Sequence, residues 1–412
     1  MTAPHAGLRA SVVIVSRDRP DALCLCLAGV ARLRRATYEV IVVADPGGCA
    51  AVRTLPFAED LKLVEFDRAN ISEARNLGIA QAAGDVVAFV DDDAVPEPRW
   101  LDHLLAAFAD ARVAAAGGFV RGRNGISFQW TARVLDATGQ AHPIQVDESR
   151  VTLLTPPAGR AVKTEGTNMA VRRDLLADLG GFDPAFRFFM DETDLNMRLA
   201  RAGHSTAIVP LAQVHHAYAP STRRSADRAV TDLRDIGASH MVFLRRHHPD
   251  STAWPEIIAT VRADQRMRLL EQMMDGRLEP RDVARILRGF DTGVTEARAR
   301  ALPVLSRIPV AAHGFLPFPG RATGKVEILA GRIWSRKRLR RRAARLAAQG
   351  ATVSLYLFSH TGLFHSVQFL PEGVWLQQGG LWGRSERSDP LWRWWRFGSR
   401  LKREVARSAH LR

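Results

Sequence analysis

Gly84-Asp-Val-Val-Ala-Phe-Val-Asp-Asp-Asp93 is the stretch on which the fold turns. Its apolar run, Val86–Val90, does not alternate, which is the pattern of a strand buried on both faces within a parallel sheet. Three carboxylates stand at its carboxyl end, the edge at which open α/β sheets bind their ligands. Working outward, Ser11–Ser16, Glu39–Asp45 and Lys62–Asp67 read the same way, and with Asp85–Asp91 they make four strands. Helical periodicity lies between them, over residues 21–35 (Leu23, Leu27, Val30 and Leu33 inward) and 72–83. Strand–helix alternation predicts a doubly wound α/β domain. Its nucleotide should lie at the polar strand ends, among Ser16–Arg19, Asp45, Asp67-Arg68 and Asp91–Asp93.

Farther along, residues 128–144 alternate around Ala137-Thr138-Gly139 and predict a hairpin. A helix is expected over 173–179, closed by Gly180-Gly181, and another over 191–202, stopped by Gly203 and followed by a strand over 205–209. Residues 225–300 read as helical with a break at 248–255, and Pro303, Pro309, Pro317 and Pro319 mark a linker. A smaller α/β unit follows: strands over 325–330 and 351–358, two more at 367–370 and 374–376, and a basic helix over 335–349. The expected division is 1–222, a helical extension 223–302, a Pro-rich linker 303–324 and a basic, Trp-rich region 325–412.

With 46% hydrophobic and 25% charged residues, the chain of 412 is globular in composition, which excludes wholesale disorder. No run of about 18 apolar residues suggests a spanning helix. The first residues read as a short tail entering a strand rather than a signal peptide. Cys24, Cys26 and Cys49 form no zinc spacing, and a reducing cytoplasm is the expected setting. Charge is uneven. Residues 321–412 hold 19 Lys and Arg against 5 Asp and Glu, whereas the other 320 residues hold 39 against 38. That asymmetry points to a polyanionic partner, a nucleic acid or an acidic membrane surface.

Side chains alternate along an extended chain, so Asp91 and Asp93 should share one side and Asp92 the other. Two carboxylates on one side of a strand end suit a hard divalent cation; the plainer reading is a solvated acidic turn. In Asp191-Glu192-Thr193-Asp194, Asp191 and Asp194 share a helix face, and Asp194 is also spaced to pair with Arg198. His215-His216 follows a strand, and a neutral imidazole there could complete a site opened by Asp91 and Asp93. His247-His248 lacks such a context and reads as surface.

Taken together, these stretches resemble the inverting glycosyltransferases of family 2, which have the GT-A fold. The resemblance is carried by residues 11–20, 40–45, Ala69-Asn-Ile-Ser-Glu-Ala-Arg-Asn-Leu-Gly78, 84–93, Glu165-Gly-Thr-Asn-Met-Ala-Val-Arg-Arg173, 180–183 and Asp191-Glu-Thr-Asp-Leu-Asn-Met-Arg-Leu199, with Gly203, Pro210 and His216 downstream. It covers about half of the chain and rests on order and spacing together. It implies a mixed, mostly parallel nucleotide-binding sheet flanked by helices. Ser16, Arg19 and Pro20 would lie along the nucleoside, Asp45 would bond the base, and Arg75 would border the nucleotide. Asp91 and Asp92 would hold the ribose or sugar, and Asp93 the metal (Mn²⁺ or Mg²⁺) with His216, or His215 in its place. The family usually reads Glu-Asp where this chain has Asp191-Glu192; aligned strictly, Glu192 is the base and Asp191 its competitor, with Asp194 completing the catalytic candidates.

The implied activity is transfer of a sugar from a nucleotide diphosphate-sugar to the hydroxyl of a saccharide or lipid-linked acceptor, in cell-surface polysaccharide or glycolipid assembly. Its rivals are a metal-dependent nucleotidyltransferase, which would want a Gly-rich basic loop after the first strand, and a nucleic-acid binder, for which no signature is present. Nucleic acid is therefore disfavoured as partner. Residues 391–407 place Leu391, Trp394, Leu401 and Val405 near one helical stripe, flanked by Trp395, Phe397 and arginines. This pattern predicts peripheral, salt-sensitive attachment to an acidic membrane surface at the inner face of the cytoplasmic membrane; the plainer reading is that these Trp residues form the core of the small C-terminal domain, and Gly398 counts against a helix here.

Overall fold

A computed structural model describes residues 7–34, 37–216, 223, 225, 227–320 and 322–412. Ala10–Ser16, Tyr38–Ala44, Lys62–Glu65 and Val86–Phe89 form the four expected strands, parallel and in register from Ala10 against both Tyr38 and Val86. Helices Pro20–Val30, Pro46–Arg53 and Ile71–Gln81 connect them and cover both faces, which is why these strands are apolar on both sides. Pro20 and Pro46 open their helices at the first turn, where a missing N–H costs nothing.

Beyond Val86–Phe89 the sheet becomes mixed. Met169–Arg172 inserts antiparallel between it and Val113–Arg121, and Ser205–His216 runs parallel to Val113–Arg121. That last strand reaches His216, well past the expected 209, because its irregular register at Val209/Gln213 lets it bend and continue pairing, finally with Ala94–Pro96. The predicted hairpin exists but is shorter: Arg133–Leu135 pairs with Ala141–Pro143 across the turn, and Phe128–Trp130 pairs instead with Val113–Arg121. Ala161–Lys163 extends the hairpin into a separate three-stranded sheet beside the main one. The whole is a mixed, largely parallel α/β sheet flanked by helices, as the resemblance implied.

Helices Arg234–His247, Trp254–Met274 and Pro280–Ala299 build a second core around Phe243 and Phe290, which also takes in Leu135, Met190 and Met197. The helical extension thus buttresses the helix Asp191–Arg201. His247 is a correction to the surface reading: it is buried and hydrogen-bonded to Asp194 at 2.8 Å. The Pro-rich stretch is docked along the main sheet. Ile308 N–H donates to the Ala177 carbonyl, and Phe318 is buried against Tyr38 and Phe57.

In the C-terminal region, Val326–Arg332, Thr352–Ser359, Val374–Gly380 and Ser366–Leu370 form a four-stranded sheet in that order. Val353, Leu355 and Leu357 face the basic helix Arg336–Ala348, while Tyr356 and Phe358 face the helix Phe397–Ser408. Here the structure departs from expectation. The last helix begins only at Phe397, and Leu401 and Val405 pack inward on Tyr356, Phe358 and Leu381, so the apolar stripe faces the sheet rather than a bilayer. The unit sits on the main domain through Trp375, Phe369 and Val367 against Val95, and through a buried Arg412–Glu97 ion pair at 2.9 Å.

Candidate active site

Asp91–Asp93 leave the end of Val86–Phe89 and divide as pleating requires. Asp91, Asp93 and His216 offer one ligand atom each within 4.8 Å of one another. His216 Nε2 lies 3.2 Å from Asp93 Oδ1, and Nδ1–H donates to Gln129 Oε1 at 3.3 Å, an outer contact that orients the ring. Burial alone would lower the His216 pKa, but the hydrogen bond to Asp93 and the nearby carboxylates raise it. Two carboxylate oxygens and one imidazole nitrogen are a donor set that fits Mn²⁺ or Mg²⁺.

Asp92 faces away from this cluster. It is 0% exposed, accepts from Ser16 Oγ at 2.7 Å and pairs with Arg19 at 2.6 Å. Burial pushes its pKa up to about 7 against the pull of the Arg19 guanidinium. Arg19 reaches Asp93 as well, at 3.3 Å. Ser16 and Arg19 thus brace the acidic triplet from the first strand end, with Pro20 starting the helix behind them. Asp45 ends the second strand, buried, and accepts from the backbone N–H of Asp18 at 3.3 Å, which ties the two strand ends together.

His215 is placed away from this cluster. Neighbouring positions on a strand point oppositely, and His215 turns to Glu97 at 2.8 Å and to the ring of Trp375. The structure thus brings His216, and not His215, to Asp91 and Asp93.

Arg75 is buried between the two acidic groups. Its guanidinium pairs with Asp91 at 3.0 Å and with Asp191, joining the strand end to the start of the helix Asp191–Arg201. A side chain at Gly166 would place a Cβ 2.6 Å from that guanidinium, so glycine is what the close approach admits. Asp191 is therefore clamped; burial raises its pKa against the pull of Arg75. Glu192 instead pairs with Lys163, and although burial would raise its pKa, the Lys163 ammonium draws it below the usual carboxylate range. Asp194 has both oxygens engaged, by Arg198 at 2.7 Å and His247 at 2.8 Å, and lies apart from the Arg75 and Lys163 contacts.

Lys163 lies 3.7 Å from Glu165, which in turn pairs with Arg133. Arg133 stands over Trp130, whose ring meets His216 at 5.6 Å. Lys163, Arg133, Trp130 and Gln129 escaped the sequence reading: each sits on a short strand with no local motif, far from its partner in the chain. Only the Glu165-Gly-Thr-Asn stretch marked the neighbourhood. Beside Gln129, an open cleft of about 580 Å³ is lined by Arg123, Asn124, Arg228 and Arg387.

Residues 7–237 match the family model described as glycosyltransferase like family 2. The chain belongs to glycosyltransferase family 2. Similar proteins include a pre-mycofactocin glycosyltransferase of Mycobacterium tuberculosis, 27% identical over 59% of this chain and 49% of that protein. The succinoglycan biosynthesis protein ExoM of Rhizobium meliloti is 30% identical over 52% of this chain and 68% of ExoM. An N-acetylglucosaminyl-diphospho-decaprenol L-rhamnosyltransferase of M. tuberculosis is 28% identical over 41% and 61%, respectively. The chain spans about half the length of the curated relatives it matches first. Among solved structures, a mannosyltransferase of Pyrobaculum calidifontis in complex with GDP-Man and Mn²⁺ aligns with a TM-score of 0.42 at 16% identity, over 71% of this chain and 87% of that one.

Proposed function

We propose that this family 2 member transfers a sugar, with inversion, from a nucleotide diphosphate-sugar to an acceptor hydroxyl. The observation that carries the reading is the cluster of Asp91, Asp93 and His216, tied through Arg75 to a second acidic group on another element. Asp93, Asp91 and His216 would hold a divalent cation, Mn²⁺ or Mg²⁺, which when bound neutralises the leaving diphosphate as a Lewis acid. Ser16, Arg19 and Asp45, at the ends of the first two strands, would line the nucleotide side. Glu192 is our candidate for the base on position and access: it takes that place in the motif aligned strictly and is partly open, whereas Asp191 is buried and locked on Arg75. Taking the acceptor proton opposite the diphosphate makes one-step displacement invert the anomeric carbon.

The acceptor is a saccharide or a lipid-linked one, in polysaccharide or glycolipid assembly. The relatives' names, which include a diphospho-decaprenol acceptor and succinoglycan biosynthesis, support this. A lipid-linked acceptor would set the reaction at the inner face of the cytoplasmic membrane. Among the described residues no helix is long and apolar enough to cross one.

A thermal-shift screen of nucleoside diphosphates with Mn²⁺ or Mg²⁺ tests the proposal, since a ligand of the native state raises Tm. One nucleotide should stabilise only with the cation, the effect should vanish in Asp93→Asn, and turnover should release nucleoside diphosphate. Release of pyrophosphate would replace this reading with nucleotidyl transfer.

A further inference from the structure

The C-terminal unit carries an aromatic rim that is not the helix its sequence advertises. Of the seventeen large apolar side chains exposed among the described residues, nine lie in this unit: Val326 and Ile328 on its first strand, and Ile333, Trp334, Leu363, Phe364, Leu391, Trp392 and Trp394 beyond it. Trp334 is 71% exposed, Trp394 65% and Phe364 61%. They come from three separate segments, yet a chain of ring contacts joins the Trp residues. Trp334 meets His360 at 5.6 Å, His360 meets Trp382 at 6.0 Å, and Trp382 stacks on Trp394 at 5.0 Å. Trp392 lies 6.4 Å from Trp382 and 6.2 Å from Trp394.

Backbone hydrogen bonds hold this rim in shape. Trp382 N–H donates to Thr361, Arg393 N–H to Trp382, and Gly380 N–H to Leu363. Gly383 lets the loops close, because a Cβ there would stand 1.9 Å from the Leu363 carbonyl oxygen. Cations border it. Arg384 lies over the Phe364 ring at 5.5 Å, Arg336 and Lys337 follow Trp334 within the same basic helix and its lead-in, and residues 321–412 carry a net +14.

We propose that this rim, and not the helix Phe397–Ser408, is the surface by which the protein docks on an anionic lipid bilayer. Indole and phenyl rings with aliphatic neighbours suit the headgroup boundary, and flanking cations add attraction to anionic lipid. A sugar-stacking platform needs free ring faces edged by polar acceptors. Here Trp382 and Trp394 stack on each other, and the other exposed groups, Leu363, Phe364 and Leu391, are apolar. The inference rests on the proposed function only in its choice of membrane; the rim stands without it.

The test is co-sedimentation of the full chain with vesicles of phosphatidylglycerol and phosphatidylcholine in equal parts, beside phosphatidylcholine alone. Binding is expected on the anionic vesicles only, weakening strongly between about 50 mM and 500 mM salt as charges are screened. Phe364→Ser/Trp392→Ser/Trp394→Ser should reduce it at least ~10-fold, because the inserted apolar area is gone. Met267→Ser/Met274→Ser, exposed elsewhere, should not change it. The rim variant should keep its nucleotide-dependent thermal shift, which separates failure of docking from failure of the proposed function. Wild-type protein left in the supernatant at low salt, a rim variant that sediments normally, or capture of soluble oligosaccharide in place of vesicles would each overturn the assignment.

Discussion

Glu192 sits against the Lys163 ammonium, and that contact sets the pH at which its carboxylate can take a proton. With the pKa drawn down by Lys163, the Glu192 carboxylate stays ionised through mildly acid solution, and with Glu192 as the proposed base, activity should fall only as pH drops through that depressed value. In Lys163→Met, burial remains without the ammonium, so the pKa of Glu192 rises and the acid limb of the kcat/KM profile moves to higher pH. A profile that keeps its acid limb in place would show that Glu192 is not the titrating base. Glu192→Gln should lose ~10²–10⁴-fold in turnover while retaining the nucleotide-dependent thermal shift. Asp191→Asn should instead act on stability, since it strips a carboxylate from the buried Arg75. If Asp191→Asn is folded and inactive while Glu192→Gln turns over, the two roles are exchanged.

Between elements, Arg75 does the joining. The helix Ile71–Gln81 presents it to the acidic strand end and to the helix Asp191–Arg201, whose approach is fixed by Phe189 and Met190 in left-handed backbone at φ 71° and 65°. Such backbone costs of order 1–3 kcal/mol at each non-glycine residue and persists only where packing holds it. Met190 is buried in the second core, so the helical extension supplies that hold. Arg75→Met would leave Asp91 and Asp191 without their shared cation. Loss of one partner from a buried ion pair costs about 3–5 kcal/mol, a drop that urea unfolding would register. An unchanged midpoint would mean that the two acids are not held by Arg75. The same ordering shows how far local pattern reaches. Alternation alone separated Asp91 and Asp93 from Asp92, whereas nothing around Asp194 foretold that His247, on another helix, would share its carboxylate with Arg198.

Across the whole molecule, the C-terminal unit is pinned to the main domain at Glu97, which accepts from Arg412 and His215. Burial would raise the Glu97 pKa, but Arg412 and His215 hold it well below the ordinary carboxylate value. A depressed folded-state pKa gives stability that is present above the unfolded value and lost as pH falls through the folded one. Glu97→Gln should therefore lower Tm at pH 7, and the gap from wild type should narrow as pH falls below about 4. A gap independent of pH would assign the loss to packing. Because His215 adjoins His216 on one strand, the same variant reports whether docking of the C-terminal unit supports the proposed cation site at Asp91, Asp93 and His216: its cation-dependent thermal shift should weaken with the contact.

The parallel strands, the helices between them and the acidic strand end were all readable from the chain because burial on two faces imposes unbroken apolar runs, and pleating imposes alternation. The order of short motifs carried the family. Charge asymmetry marked the C-terminal region as distinct, and its strands were legible on the same grounds. Which way an amphipathic segment faces was another matter. Leu401 and Val405 form the same stripe whether it meets lipid or a sheet, and the sheet claimed it, leaving Trp334, Phe364, Trp392 and Trp394 on the outside. Lys163 with Glu192, His247 with Asp194 and Arg412 with Glu97 likewise belong to the folded state alone. Local pattern records which side of an element avoids water. Pairing between distant side chains depends on how whole elements stack, and that is settled only when the cores close.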